Sequence, residues 1–113
     1  MRLKEKRWIF TLNIAKLIIF INEQPGYRCA LDEVKRTPEQ AAIYAKQGIG
    51  VNNSKHCEGL AADIIIYKDG AWLKKSEEYE FAGMYWLALH PDNTWGGAGN
   101  DGNHFSMGGK TGW

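Results

Sequence analysis

"LAADIIIYKDGAWL", residues 60–73, decides how this chain is read. Ile64, Ile65 and Ile66 form a near-continuous apolar run that reads as a strand. Asp69-Gly70 is a tight-turn pair, and "AWL" after it reads as a short return strand. One residue is out of keeping. Asp63 places a carboxylate at the start of the apolar run, where desolvation is costly unless something compensates it. A bound cation is one compensator and an arginine partner is another.

Outward from this strand, the flanking segments alternate in type. From about Lys4 to Glu23 apolar residues recur at helical spacing, with Ile9, Leu12, Ala15 and Ile19 expected on the buried side and Trp8, Ile18 and Ile21 widening the stripe. "QPGY" ends that helix. "YRCALDEVKR" (27–36) reads as a strand, and "TPEQAAIYAKQG" (37–48) as a helix with Thr37 as N-cap and Pro38 in its first turn. "IGVNNSKHCEG" (49–59) is a polar loop. Residues 76–90 return to helical spacing, with Phe81, Tyr85 and Leu89 on one line. "PDNTWGGAGNDGN" (91–103) reads as a Gly-rich loop and "HFSM" (104–107) as a final strand. The expected fold is α+β: one domain over residues 1–113, with a largely antiparallel sheet packed by helices.

Composition narrows the function. The 113 residues carry a formal charge of +1. That gives no strong field toward nucleic acid or an anionic membrane. The run "WIFTLNIAKLIIFI" is interrupted by Asn13 and Lys16 and falls short of the ~20 residues needed to span a bilayer. No small-residue cleavage site follows it, so no signal peptide is expected. Cys29 and Cys57 lack C-x-x-C spacing and read as two thiols, with a single bridge left open. His90, before Pro91, reads as a helix cap.

The chemistry-bearing residues cluster in two Gly-flanked stretches. "SKHCEGLAAD" (54–63) holds His56 and Asp63, and "DGNH" (101–104) holds Asp101 and His104. Two histidines and one carboxylate match a zinc site with three protein ligands and a fourth position for water, whose pKa zinc lowers toward ~7. Asp101, three positions before His104, is placed to take a proton from that water and pass it to a leaving amine. The plainer alternative is a hydrogen-bonded structural histidine and an Asp-Gly turn. No H-E-x-x-H helix is present.

These stretches carry a resemblance. "SKHCEGLAAD" resembles the S-x-H-x-x-G-x-A-x-D signature of the M15 zinc peptidases, with Ser54, His56, Gly59, Ala61 and Asp63 at its fixed positions. That family includes D-alanyl-D-alanine carboxypeptidases and dipeptidases and the L-alanyl-D-glutamate endopeptidases of phage endolysins. "WGGAGNDGNHFSM" (95–107) is similar to the family's WGG…D-x-x-HF segment, and "VKRTPEQAAIYAKQG" (34–48) to its R-T-x-E-Q…G stretch. The likeness runs from about Leu12 to Met107.

The resemblance implies a Hedgehog/DD-peptidase-like fold with Zn2+ held by His56, Asp63 and His104. It implies Asp101 as catalytic base and Arg36 as the group that stabilises the oxyanion. Ser54, Gln40 and Trp95 are the expected substrate contacts. The expected substrate is the stem peptide of bacterial peptidoglycan, cut at L-Ala–D-Glu. The rivals are a D-Ala-D-Ala carboxypeptidase and, from another class, a non-catalytic zinc-stabilised wall-binding module. A monomer is expected, held in the host cytoplasm until phage or prophage lysis releases it to the wall. Two departures stand out. Ser106 follows the HF pair where many members carry Glu, and Asp101 replaces the Glu of the dipeptidase branch, which points to the phage-type branch.

Overall fold

A computed structural model describes residues 1–33, 39, 40, 43, 46 and 58–108. The apolar run forms the strand Ala61–Lys68 (β2), which turns at Asp69 and Gly70 and returns as Ala71–Trp72 (β3). Both turn residues have positive φ, 51° and 84°, and Asp-Gly meets that demand at little steric cost. One edge of β2 pairs antiparallel with Tyr27–Glu33 (β1), and the opposite edge, which β3 also lines, pairs antiparallel with His104–Met107 (β5). Asn93–Trp95 (β4) pairs with β5, giving the order β1-β2-β5-β4 with β3 on β2. The α+β class with an antiparallel sheet is therefore the observed architecture.

β4 and the 3-10 turn at Gly96–Gly99 correct the expectation of an unstructured loop over 91–103. Thr94 and Trp95 are good strand formers, and pairing with Ser106 and Phe105 supplies the partner that a local reading lacks.

Leu3–Glu23 forms one helix (α1), and Phe10, Asn13, Ile14, Leu17 and Ile21 are its buried face. The expected face is right only in part: Ile21 is buried and Ile9 and Ile18 pack on the core, but Trp8, Leu12 and Ile19 are exposed, at 65%, 57% and 58%. α1 carries large apolar residues on both sides, so periodicity alone does not choose between them. The core chooses instead. Alternation along β2 sends Ala62, Ile64 and Ile66 to one face, and they pack with α1, Phe105 and Met107.

The expected helix over 76–90 divides into a 3-10 turn, Ser76–Tyr79, and an α-helix, Glu80–Leu89 (α2). Glu78 accepts the Lys75 backbone N–H at 3.1 Å, while the Ser76 hydroxyl accepts the Gly102 N–H. Trp86 of α2 is fully buried between Phe10 and Phe105, with edge-on ring contacts at 5.6 and 6.1 Å. Its indole N–H donates to the carbonyls of Thr94 and Ser106, at 3.1 and 3.0 Å. It thereby locks α2 to the β4·β5 pair that carries His104.

Candidate active site

Antiparallel register creates the centre of the site. Asp63 on β2 stands directly opposite His104 on β5, and opposed residues project from the same face of a sheet. Alternation puts that face opposite the core face of Ala62, Ile64 and Ile66. Asp63 Oδ1 and His104 Nδ1 lie 3.2 Å apart, although 41 positions separate them in the chain. The His104 side chain is 2% exposed and that of Asp63 is 21% exposed.

This pair fits the donor chemistry of zinc. With ligand bonds of about 2.0–2.2 Å and a tetrahedral angle, two donor atoms should lie roughly 3.4 Å apart. The observed separation is close to that. An imidazole nitrogen and a carboxylate oxygen are also ordinary zinc donors. Among the described residues no group of three or more such side chains assembles, and His56, the third expected ligand, lies outside them.

Asp101 sits at the turn into β5. Its N–H donates to the Gly96 carbonyl at 3.0 Å, and its carbonyl accepts the His104 N–H at 3.1 Å. Gly96 is required here: a Cβ on it would collide with the Asp101 carbonyl oxygen and come within 3.1 Å of the His104 Cβ. Asn100, just before Asp101, takes the left-handed conformation at φ 61°, which Asn tolerates better than most residues.

Two side chains brace the next residue, Gly102, from opposite sides. The Trp95 indole N–H donates to its carbonyl at 2.7 Å, and Ser76 Oγ accepts its N–H at 2.9 Å. A side chain on Gly102 would sit 2.7 Å from the Ser76 Cα, so glycine permits the close approach. Trp95, expected to contact substrate, is placed by the structure as this brace, half-buried with its ring over Gly83 and Gly97. Ser76 was not singled out in the sequence. No local motif marks it, because its partner lies 26 residues away.

Of the other expected site residues, Gln40 is helical and half-buried. Arg36, Ser54, His56 and Cys57 lie outside the described residues. Ser106, at the departure from the family pattern, is fully buried. His90 ends α2, and its Nδ1 accepts the Asp92 N–H at 3.1 Å, in keeping with its expected capping role.

A cleft of about 320 Å³ opens beside Asp101, with Ile65 and Tyr79 in its wall and Asp32, Trp72, Lys74 and Asn100 around it. Asp32 occupies an irregularity in the β1·β2 ladder between Leu31 and Glu33. Such bulges re-aim side chains next to sites.

No protein-family profile matches the sequence, and no curated protein matches it significantly. In three dimensions the chain is similar to the crystal structure of the L-Ala D-Glu endopeptidase ChiX from Serratia marcescens. The TM-score is 0.64 at 18% sequence identity, over 82% of this chain and 78% of that one. At this identity the likeness establishes a shared fold.

Proposed function

We propose that this protein is a zinc-dependent peptidoglycan peptidase that hydrolyses the L-Ala–D-Glu amide of the stem peptide. The observation that carries this reading is the pairing of Asp63 on β2 with His104 at 3.2 Å, on the strand β5 that Asp101 leads into. The motif resemblance and the fold shared with an L-Ala D-Glu endopeptidase support it.

On this reading Asp63 and His104, with His56, hold the zinc ion. When bound there, zinc supplies Lewis acidity and makes water nucleophilic near neutral pH. Asp101 accepts the proton released as water attacks the scissile carbonyl and delivers it to the departing amine nitrogen. Arg36 donates charge-assisted hydrogen bonds to the carbonyl oxygen as negative charge develops on it. Ser54 and Gln40 hold the peptide. The brace on Gly102 keeps the Asp101 turn in place, and a positioned carboxylate needs little reorganisation during reaction. The setting that suits such an activity is phage or prophage lysis, with the enzyme reaching the wall from the cytoplasm.

The test is mass spectrometry of purified peptidoglycan after incubation with the zinc-loaded protein, with and without a chelator. Chelator-sensitive release of stem peptides beginning at D-Glu is the expected result. Loss of the terminal D-Ala alone would replace endopeptidase by carboxypeptidase. An absence of cleavage would leave a wall-binding module.

A further inference from the structure

The cleft beside Asp101 contains a cation and an exposed aromatic ring that the proposed chemistry does not use. Asp63, Ile65 and Tyr67 share one face of β2, because side chains alternate along a strand. Tyr67 pairs with Trp72, so Trp72 stands on that face too, 55% exposed. From Asp63 to Tyr67 the strand advances roughly 13 Å, at about 3.3 Å per residue. An extended peptide of about four residues covers that distance.

The position of this wall is tied to the catalytic turn. Tyr79 donates its hydroxyl proton to the Leu73 carbonyl and accepts the Ile66 N–H, at 2.8 and 3.1 Å. The Leu73 N–H donates to the Ile66 carbonyl at 2.9 Å. Ser76, three residues on, accepts the Gly102 N–H. The segment from Trp72 to Ser76 is therefore fastened to β2 at one end and to the Asp101 turn at the other.

Lys74 Nζ lies over the Trp72 ring, 4.8 Å from its centroid. Among the described residues that line the cleft it is the one cation, against the acids Asp32 and Asp101. A carboxylate is attracted only where it reaches Lys74 and is repelled toward Asp32 and Asp101, so the charge pattern fixes where it sits and with it the register of the bound peptide.

We propose that this cleft is a carboxylate-recognising substrate subsite. Trp72 packs against the peptide, and Lys74 pairs with a free carboxylate adjacent to the scissile amide. Resting on the peptidase reading, the assignment identifies that carboxylate as the α-carboxylate of a γ-linked D-Glu. The preferred substrate is then an acidic peptide, and its α-amidated form is disfavoured.

The experiment compares L-alanyl-γ-D-glutamyl-L-lysine with its D-Glu α-carboxamide on the zinc-loaded protein, measuring hydrolysis by mass spectrometry and binding by calorimetry. The wild type should favour the carboxylate roughly two- to fivefold, mainly through KM, as a partly exposed charge pair allows. Lys74→Gln should bring the ratio of the two peptides close to one. Lys16→Gln, at an exposed position of α1, should keep the wild-type ratio. An unchanged ratio in Lys74→Gln overturns the assignment, as does a wild type with no preference. If neither peptide is cleaved but the carboxylate form binds more tightly in a Lys74-dependent way, the peptidase reading falls and the subsite stands. Absence of binding as well as cleavage overturns both.

Discussion

Replacing Tyr79 by Phe removes one oxygen from the wall that joins the cleft to the sheet, and its cost can be worked out from the structure. The ring is 3% exposed and would stay in place, so no sizeable cavity forms. The hydroxyl makes two hydrogen bonds, one to the Leu73 carbonyl and one from the Ile66 N–H. Ile66 is fully buried, so its N–H would lose its partner away from water. An orphaned buried donor costs about 1–3 kcal/mol, and about 2 kcal/mol is a reasonable central value. With about 2.1 cal/mol/K of unfolding entropy per residue, a chain of 113 residues carries roughly 0.24 kcal/mol/K at its midpoint. The expected drop in Tm is therefore about 8 °C. Circular dichroism melts, paired with urea titrations showing an unchanged m-value, measure it. A drop of less than about 2 °C, with m unchanged, would refute the reasoning that this hydroxyl satisfies a buried amide.

The remaining predictions concern metal and pH. Asp101→Ala should retain about one zinc per chain by elemental analysis and lose most hydrolysis, whereas His104→Ala should lose the metal as well. Equal metal loss in both would turn Asp101 from base into ligand. Dialysis against a chelator should abolish hydrolysis and added zinc should restore it; hydrolysis that survives chelation would contradict the proposed centre. Burial pushes the Tyr79 phenol above its ordinary pKa of 10.0. The unfolded chain therefore releases that proton first, and stability falls as pH rises from 10.0 through the folded value. The difference in urea midpoint between the wild type and Tyr79→Phe should narrow across that range. A gap that stays constant to the alkaline limit of folding would argue against it.

The ChiX likeness bears on fold, while the chemistry rests on particular side chains. Three of the proposed residues lie close together: Asp63 pairs with His104, and Asp101 bonds the His104 backbone. A turn pinned by Trp95 and Ser76 leads into the strand that pairs Asp63 with His104. The arrangement separates roles cleanly. Side chains on β2 and β5 bring a carboxylate and an imidazole together, while the adjoining glycine turn carries Asp101, the proposed base. Paired strands hold their side chains precisely, and the hydrogen bonds on Gly102 hold the turn before them.

Local sequence determined much of this. The β2 run, its Asp69-Gly70 turn, the length of α1 and the position of β5 follow from near-neighbour preferences that act wherever the chain is placed. The candidate residues Asp63, Asp101 and His104 were legible for a similar reason, since a carboxylate in an apolar strand and a histidine in a glycine-rich turn are locally costly or unusual. Tertiary structure decided what no neighbour specifies. The buried face of α1 was settled by which side meets Ile64 and Trp86, because both sides are apolar enough to be buried. β4 exists through its pairing with β5, and Trp95 became a brace because its indole meets Gly102 across a tight turn. Ser76 acquired a role through a partner 26 positions away. The 3.2 Å contact between Asp63 and His104 likewise arises from strand register, which is set by burying one whole face of the sheet at once.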